Sequence, residues 1–107
     1  MRAATDHVFT ALADPTRRAI FERLSREGEL TVRALTDKAR VSQPAVSKHL
    51  AVLGEAGLVR GRRAGRQTHY RVEPKGLRPL VNWIGVYSAF WRERFDDLET
   101  LLNRMDQ

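Results

Sequence analysis

Residues 31–57 contain two short amphipathic segments separated by a tight break at 40–41. Thr31 can cap the first segment and Ser42 the second, because a hydroxyl at this position accepts a hydrogen bond from a backbone N–H of the first helical turn. Gly57 ends the second segment, since glycine readily adopts the left-handed conformation that follows many helices. Two short helices joined by a turn of three or four residues form a helix-turn-helix pattern.

The second helix of this pattern separates its apolar and polar residues by angle. Val46, Leu50 and Leu53 form its apolar stripe. The opposite face is small and polar, and glutamine, serine and lysine carry donors and acceptors suited to base edges in the major groove, which is ~12 Å wide. A solvated helix face has the same composition, so this face alone does not decide the function. The candidate DNA contacts on the helix are Ser42, Gln43, Pro44, Ser47 and Lys48.

A basic hairpin follows, with predicted strands at 58–63 and 67–72 around Ala64-Gly65. Five arginines fall between residues 60 and 71 with no acid among them. A solvated hairpin usually mixes its charges, so this run favours phosphate contact or insertion of arginine into the minor groove. Arg60 and Arg71 could instead form ion pairs within the protein. The candidate DNA contacts in this hairpin, or wing, are Arg62, Arg63 and Arg66.

Composition agrees with a nucleic-acid partner. Nineteen Lys and Arg residues against 13 Asp and Glu give a formal net charge of +6, for which double-stranded DNA is the commonest reason and an acidic protein or an anionic membrane surface the alternatives. No apolar run approaches the roughly 18 residues of a membrane helix, and no signal peptide is recognisable, so we expect a cytoplasmic protein without a membrane partner. The length predicts a single domain over residues 1–107.

The predicted last helix, about residues 77–103, carries two adjacent apolar stripes that together cover about half of its circumference. This is wider than the ~100° that one core requires, so we expect one stripe to cover the protein's own core and the other to bind a second copy. A small domain that wraps both stripes itself is the alternative. The residues expected at the dimer interface are Val8, Leu80, Trp83, Tyr87, Phe90 and Trp91.

No catalytic group, cofactor or metal site is predicted. The chain has no cysteine, and its three histidines, His7, His49 and His69, lie far apart in the sequence. The serines lie at helix caps or within helices, and there is no nucleophile elbow or phosphate loop. The chain is therefore expected to be a non-enzymatic protein.

The predicted fold is mainly α with a β-hairpin wing: four helices, a two-stranded hairpin and a long last helix. This order resembles the ArsR/SmtB family of bacterial winged helix-turn-helix repressors. The resemblance rests on LADPTRRAIFERL (12–24), SQPAVSKHLAVLGEAGLV (42–59) and RRAGRQTHYRV (62–72). It implies a homodimer joined through the first and last helices, which represses transcription from an inverted-repeat operator. It also implies that the recognition helix is 42–56.

The chain departs from the metal-sensing members of that family. Their third helix carries a Glu-Leu-Cys-Val-Cys pattern, whereas this chain has Glu29-Leu30-Thr31-Val32-Arg33. Soft metals require thiolates and zinc requires several nitrogen or sulfur ligands, so neither site can be built as in those relatives. The resemblance is therefore to metal-independent, cysteine-free members, and the effector is unknown.

Two other functions remain open from the residues. A winged-helix module could use the same basic face to bind an acidic protein. A ligand-gated sensor could use the aromatic residues Trp83, Tyr87 and Trp91 as a pocket.

Overall fold

A computed structural model describes residues 2–106 of the chain. The helices are α1 (Arg2–Ala13), α2 (Pro15–Glu27), α3 (Val32–Asp37), α4 (Gln43–Glu55) and α5 (Arg78–Met105). The strands are β1 (Leu30–Thr31), β2 (Val59–Ala64) and β3 (Gln67–Val72), and a 3₁₀ turn, Pro74–Leu77, precedes α5. A mainly helical fold with a β-hairpin wing is therefore confirmed.

The caps of the helix-turn-helix unit lie where the sequence predicts them. The Thr31 hydroxyl accepts the Ala34 N–H at 3.0 Å, and the Ser42 hydroxyl accepts the Ala45 N–H at 3.3 Å. At the end of α4, Gly57 has a φ of +78°, and the next residue, Leu58, donates its N–H to the carbonyl of Leu53 at 2.9 Å. This six-residue closure is a Schellman motif, which turns the chain from α4 into β2.

The sheet has three strands in the order β1-β3-β2, whereas the sequence predicted a two-stranded hairpin. In β1, Leu30 pairs with Tyr70 and Thr31 with His69, so β3 is the central strand. The sequence missed β1 because two residues are too few to show the alternation of a strand. The hairpin turn is Gly65-Arg66, where Gly65 has the positive φ (+65°) that a two-residue turn requires.

The core lies among α1, α2, α3, α4 and the start of β2. Its most buried large side chains, at 2% exposure or less, are Val8, Leu24, Leu35, Val46, Leu50, Leu53 and Leu58. Three of these, Val46, Leu50 and Leu53, are the predicted stripe of α4. Val8, which the sequence placed at a dimer interface, is 1% exposed in the core of its own protomer. Its neighbour Phe9 is the exposed aromatic residue of α1, because successive helical residues point about 100° apart.

Helix α5 projects away from this core. The Cα radius of gyration is 18.4 Å, against about 13 Å for a compact domain of this length. Leu77 and Leu80 pack against the core, but no residue of α5 is buried. The expectation that one whole stripe covers the protomer's own core is therefore wrong, since a helix of about 42 Å extends well beyond that core. Neither α5 nor another helix within residues 2–106 combines the length and hydropathy of a membrane span.

Candidate nucleic-acid interface

A groove of about 710 Å³ separates α3 and α4 from the wing. Gln43 and Ser47 of α4 lie on one wall, and Arg63 and Arg66 of the hairpin lie on the other. The fold therefore brings together four candidates that are up to 23 positions apart in the sequence. The remaining lining residues are Thr31, Val32, Arg33, Thr36, Asp37, Gln67 and Thr68.

The outward face of α4 is open to solvent. Ser42, Gln43, Pro44, Ser47 and Lys48 are all exposed, as the angular pattern predicts. The first turn offers fewer free amides than an ordinary helix, because Pro44 has no N–H and the Ala45 N–H is held by the Ser42 hydroxyl. This leaves the Gln43 N–H, which has no hydrogen-bond partner in the part of the chain that the structure describes. The helix start is thus suited to one phosphate oxygen at most.

Arg62 does not share the environment of the other wing candidates. Its Nε donates to Glu29 Oε1 and its Nη2 to Glu29 Oε2, both at 2.9 Å. This bidentate pair joins β2 to the residue that precedes β1. The hydrogen bond lowers the pKa of Glu29 and raises that of Arg62, so both groups are charged at neutral pH. The pair offsets the charge of Arg62 in the DNA-free protein, but its side chain is 57% exposed, so its contact with DNA stays a prediction.

Unlike Arg62, Arg63 and Arg66 have no acidic partner: neither forms an ion pair within residues 2–106. Arg63 lies opposite Thr68 in the hairpin register, and both line the groove. Arg60, in contrast, approaches Glu73 at 3.9 Å, as the alternative for this residue anticipates. Arg63 and Arg66 therefore supply unpaired positive charge at the tip of the wing and on its groove side, while Arg71, also unpaired within the described residues, lies outside the groove.

The sequence missed several groove residues, chief among them Arg33 and Thr36 of α3 and Thr68 of β3. Thr68 is half-buried and lines the groove. The predicted pairing of the two hairpin strands could have indicated that Thr68 lines the groove, because residues opposite each other in paired strands lie on the same face of the sheet, and Thr68 is opposite Arg63.

Arg17 fixes the position of α4 relative to the N-terminal helices. Its Nε donates to the Ala11 carbonyl at 2.7 Å and its Nη2 to the Thr10 carbonyl at 3.3 Å, which satisfies the free end of α1. Its Nη1 lies 3.5 Å from Nδ1 of His49 in α4. His49 therefore has a packing role on the half-buried flank of α4. Within residues 2–106, no three His, Cys, Asp or Glu side chains are placed to share a metal ion.

The exposed side of α5 forms a second, apolar surface. Trp83 packs edge-to-face against Phe9 of α1, with ring centroids 5.2 Å apart. Further along the helix the side chains are more exposed: Trp91 is 52% exposed and Phe95 64%. A shallow groove of about 470 Å³ on this surface is lined by Trp83, Ile84, Tyr87, Ser88, Trp91 and Phe95.

A helix-turn-helix with an open polar face, beside a wing with free arginines, defines a winged helix-turn-helix DNA-binding protein. The profile of a family described as "Helix-turn-helix domain" matches residues 12–62. The arsenical resistance operon repressor of Escherichia coli is 46% identical over 99 residues, which cover 92% of this chain and 81% of that protein. The arsenic resistance transcriptional regulator ArsR1 of Pseudomonas putida is 47% identical over 77 residues. The match covers 72% of this chain but only 57% of the length of the Pseudomonas protein.

Solved structures give the same result. An ArsR-like transcriptional regulator from Rhodococcus sp. RHA1 superposes with a TM-score of 0.73 at 30% identity, covering 94% of this chain and 93% of that one. The homodimeric winged helix-turn-helix DNA-binding domain Mb0332 of Mycobacterium bovis superposes with a TM-score of 0.65 at 28% identity, covering 79% and 81%. The chain belongs to the ArsR/SmtB family of winged helix-turn-helix, DNA-binding transcriptional repressors. The family is one of regulators and not of enzymes.

Proposed function

We propose that this protein binds an inverted-repeat operator in duplex DNA as a homodimer and thereby represses transcription. The observation that carries the proposal is the groove between α4 and the wing, with a polar helix face on one side and free arginines on the other. The proposal treats the chain as one functional domain: a helix-turn-helix at about 31–57, a wing at about 58–72 and a dimerisation helix at about 77–103.

The dimensions of B-DNA explain why such a groove suits a duplex. A helix in the major groove and a wing in the adjacent minor groove must straddle one sugar-phosphate strand. We infer that Gln43 and Ser47 read base edges, while Arg63 and Arg66 contact the phosphates or enter the minor groove. Arg33 adds a third cation to the same groove. Asp37 is the one acid that lines it, so the balance remains positive.

The dimer is inferred from the uncovered surface of α5. Large apolar surfaces on a folded chain mark association sites, and the side chains of Trp83, Tyr87, Phe90 and Trp91 are 43–52% exposed in the protomer. A second α5 packed against this surface would fill the groove beside Trp91 with its own side chains. The Mycobacterium bovis domain, of the same fold, is homodimeric. We propose Trp83, Tyr87, Phe90 and Trp91 for this interface, without Val8 and with Leu80 only at its edge.

We propose that repression does not depend on a metal. The E. coli and Pseudomonas relatives are named for arsenic resistance, but this chain has no cysteine to supply a thiolate. As a transcriptional regulator, the protein is expected to act in the cytoplasm.

Selection of bound duplexes from a random pool, followed by affinity measurements from low to moderate salt, tests the function. We expect an inverted repeat whose half-sites are about one helical turn apart. Recovery of no motif, with binding that disappears at physiological salt, would contradict sequence-specific repression and would favour an acidic protein as the partner of the basic face.

The wing offers a matched pair of variants. Arg63→Ala should weaken binding to all sequences alike and reduce the salt slope by about one unit for the phosphate that is no longer neutralised. Arg62→Ala, in the same hairpin, removes a charge that Glu29 already neutralises and should change the slope less. Equal effects of the two changes would contradict the assignment of the free arginines.

The recognition face is tested separately. Gln43→Ala and Ser47→Ala should each relax the preference at one operator position and cost about 1–3 kcal/mol of discrimination if the contact is to a base edge. Affinities for operators with single base changes provide the measurement. A uniform loss across all sequences would mean that these side chains contact phosphate only.

A further inference from the structure

A separate cleft of about 340 Å³ lies between α2 and the end of α3. None of its lining residues lines the groove that faces the wing. Ile20 and Leu35, both buried, form part of its wall, and the side chains of Ala39 and Val41 extend this apolar lining. The volume lies at the small end of the range for small-molecule sites, which is about 300–1,000 Å³.

The charged residues that line this cleft are all positive. Arg23, Lys38 and Arg40 line it, and it has no acidic lining residue. Arg23 is held in place: its side chain is 15% exposed, its Nη1 donates to the Ala34 carbonyl at 3.1 Å, and its Nε donates to Glu27 at 2.8 Å.

Lys38 and Arg40 differ from Arg23 in having uncommitted side chains. Neither side chain forms a hydrogen bond or a close ion pair within the described chain, although the charge of Lys38 contributes from a distance to the lowered pKa of Glu27. An ammonium and a guanidinium group at the rim of an apolar cleft are suited to an anion whose body enters that cleft.

We propose that this cleft binds a small molecule with an apolar body and a single carboxylate. The body packs on the apolar lining near Ile20 and Leu35, and the carboxylate lies at the rim between Lys38 and Arg40. A neutral apolar molecule would leave the two rim cations without a partner. A highly charged anion would meet a mostly apolar lining, which cannot replace its lost hydration.

The cleft adjoins the start of the DNA-binding helix, so a ligand bound there would affect DNA binding. Its rim residues, 38–41, belong to the turn that joins α3 to α4. A bound carboxylate adds a negative charge next to the start of the recognition helix, so DNA affinity should fall when the cleft is occupied. By linkage, DNA should weaken ligand binding by the same factor. This second step rests on the proposed function, whereas ligand binding itself does not.

Octanoate and 4-phenylbutyrate are suitable probes, and octanamide is the neutral match for octanoate. Titrated into the full chain labelled with ¹⁵N, the carboxylates should shift the backbone amides of the cleft, such as those of Ala19, Ala39 and Val41, with octanamide binding about tenfold or more weaker. Ala19→Phe, an exposed position that lines the cleft, should abolish the shifts by filling the space.

Charge variants separate a site from general attraction. Lys38→Gln together with Arg40→Gln should weaken octanoate binding about tenfold or more. The charge-matched control Arg26→Gln with Arg104→Gln, at exposed positions outside the cleft, should leave it unchanged. Addition of saturating octanoate should reduce operator affinity of the wild type, but not of the Ala19→Phe variant.

Three results would overturn the proposal: no cleft shifts at millimolar carboxylate, equal binding of octanamide, or equal weakening in the two charge variants. If carboxylates do not bind but Lys38→Gln with Arg40→Gln reduces the salt slope of DNA binding, these cations contact phosphate and the cleft proposal fails. Failure of operator binding in a protein that still binds octanoate would instead contradict the proposed function.

Discussion

Helices α4 and α5 are both amphipathic, but the protomer buries the apolar face of α4 and leaves that of α5 exposed. The apolar stripe of α4, formed by Val46, Leu50 and Leu53, is fully buried. The 28 residues of α5 include no buried side chain, and Trp91 is 52% exposed. Amphipathicity therefore predicts that a helix face will be covered, but it does not say by what. For α4 the cover is the same chain; for α5 we infer that it is a second copy.

The difference follows from geometry. Helix α4 contacts α1, α2, α3 and β2, which together cover the apolar side of its 13 residues. Helix α5 follows the hairpin, and its contacts with the rest of the protomer are near its start, where Leu80 packs against the core and Trp83 packs against Phe9 of α1. Its remaining length of several turns extends into solvent, where apolar residues can be covered only by another molecule.

Truncation in the covered helix should have the largest effect. Leu53→Ala leaves a cavity in the core and should cost about 2–5 kcal/mol of the free energy of unfolding. Leu98→Ala, on the exposed stripe of α5, is the matched control and should cost far less in the monomer. Urea unfolding at protein concentrations below dimer formation measures both. A similar loss of stability for the two variants would mean that α5 is covered within the protomer.

A charge on the uncovered helix should affect association instead. Trp91→Asp places a carboxylate in the centre of the proposed interface and should weaken dimerisation by about 2–4 kcal/mol, the range of an interface hot spot. Sedimentation should then show monomers with unchanged helical circular dichroism. Thr100→Asp, on the opposite side of α5, is the control. A Trp91→Asp dimer of wild-type strength would refute this placement of the interface.

The cap of the recognition helix should contribute less than its buried stripe. Ser42→Ala removes the hydroxyl that accepts the Ala45 N–H and should cost about 1 kcal/mol of stability. Ser25→Ala, within α2, removes only a bond to the Phe21 carbonyl and should be close to neutral. Thermal unfolding distinguishes the two, and an equally neutral Ser42→Ala would show that α4 does not depend on its cap.

The smallest effect concerns the pair between Glu29 and Arg62. Because the hydrogen bond from Arg62 lowers the pKa of Glu29, the pair's contribution to stability is complete at neutral pH. It disappears only as the pH falls through that lowered pKa, which lies below the ordinary value of a glutamate. Glu29→Gln should abolish this acid dependence of wing stability and, by freeing Arg62, should increase the salt slope of DNA binding by up to about one unit. An unchanged slope would mean that Arg62 remains away from the phosphates.

The sequence predicted the helix-turn-helix most accurately, since its caps, its glycine stop and its apolar stripe all depend on residues a few positions apart. Thr31, Ser42 and Gly57 have the roles expected of them. Strand β1 was missed, because pairing between Leu30 and Tyr70 joins positions 40 residues apart that carry no local signal. The neutralisation of Arg62 was missed for the same reason: Glu29 is 33 positions away.

Local sequence was thus sufficient to predict the helices, the break between α3 and α4, the polar face of α4 and the excess of arginine in the wing. These features follow from hydrogen bonding between near neighbours and from periodicity along a single element. Only the packing of the folded chain established which arginines remain free, that Val8 lies in the core, and that most of α5 is left uncovered. Each of these features depends on contacts between residues that are far apart in the sequence. The stability of such a contact depends on both partners together, so the local sequence around either one does not predict it.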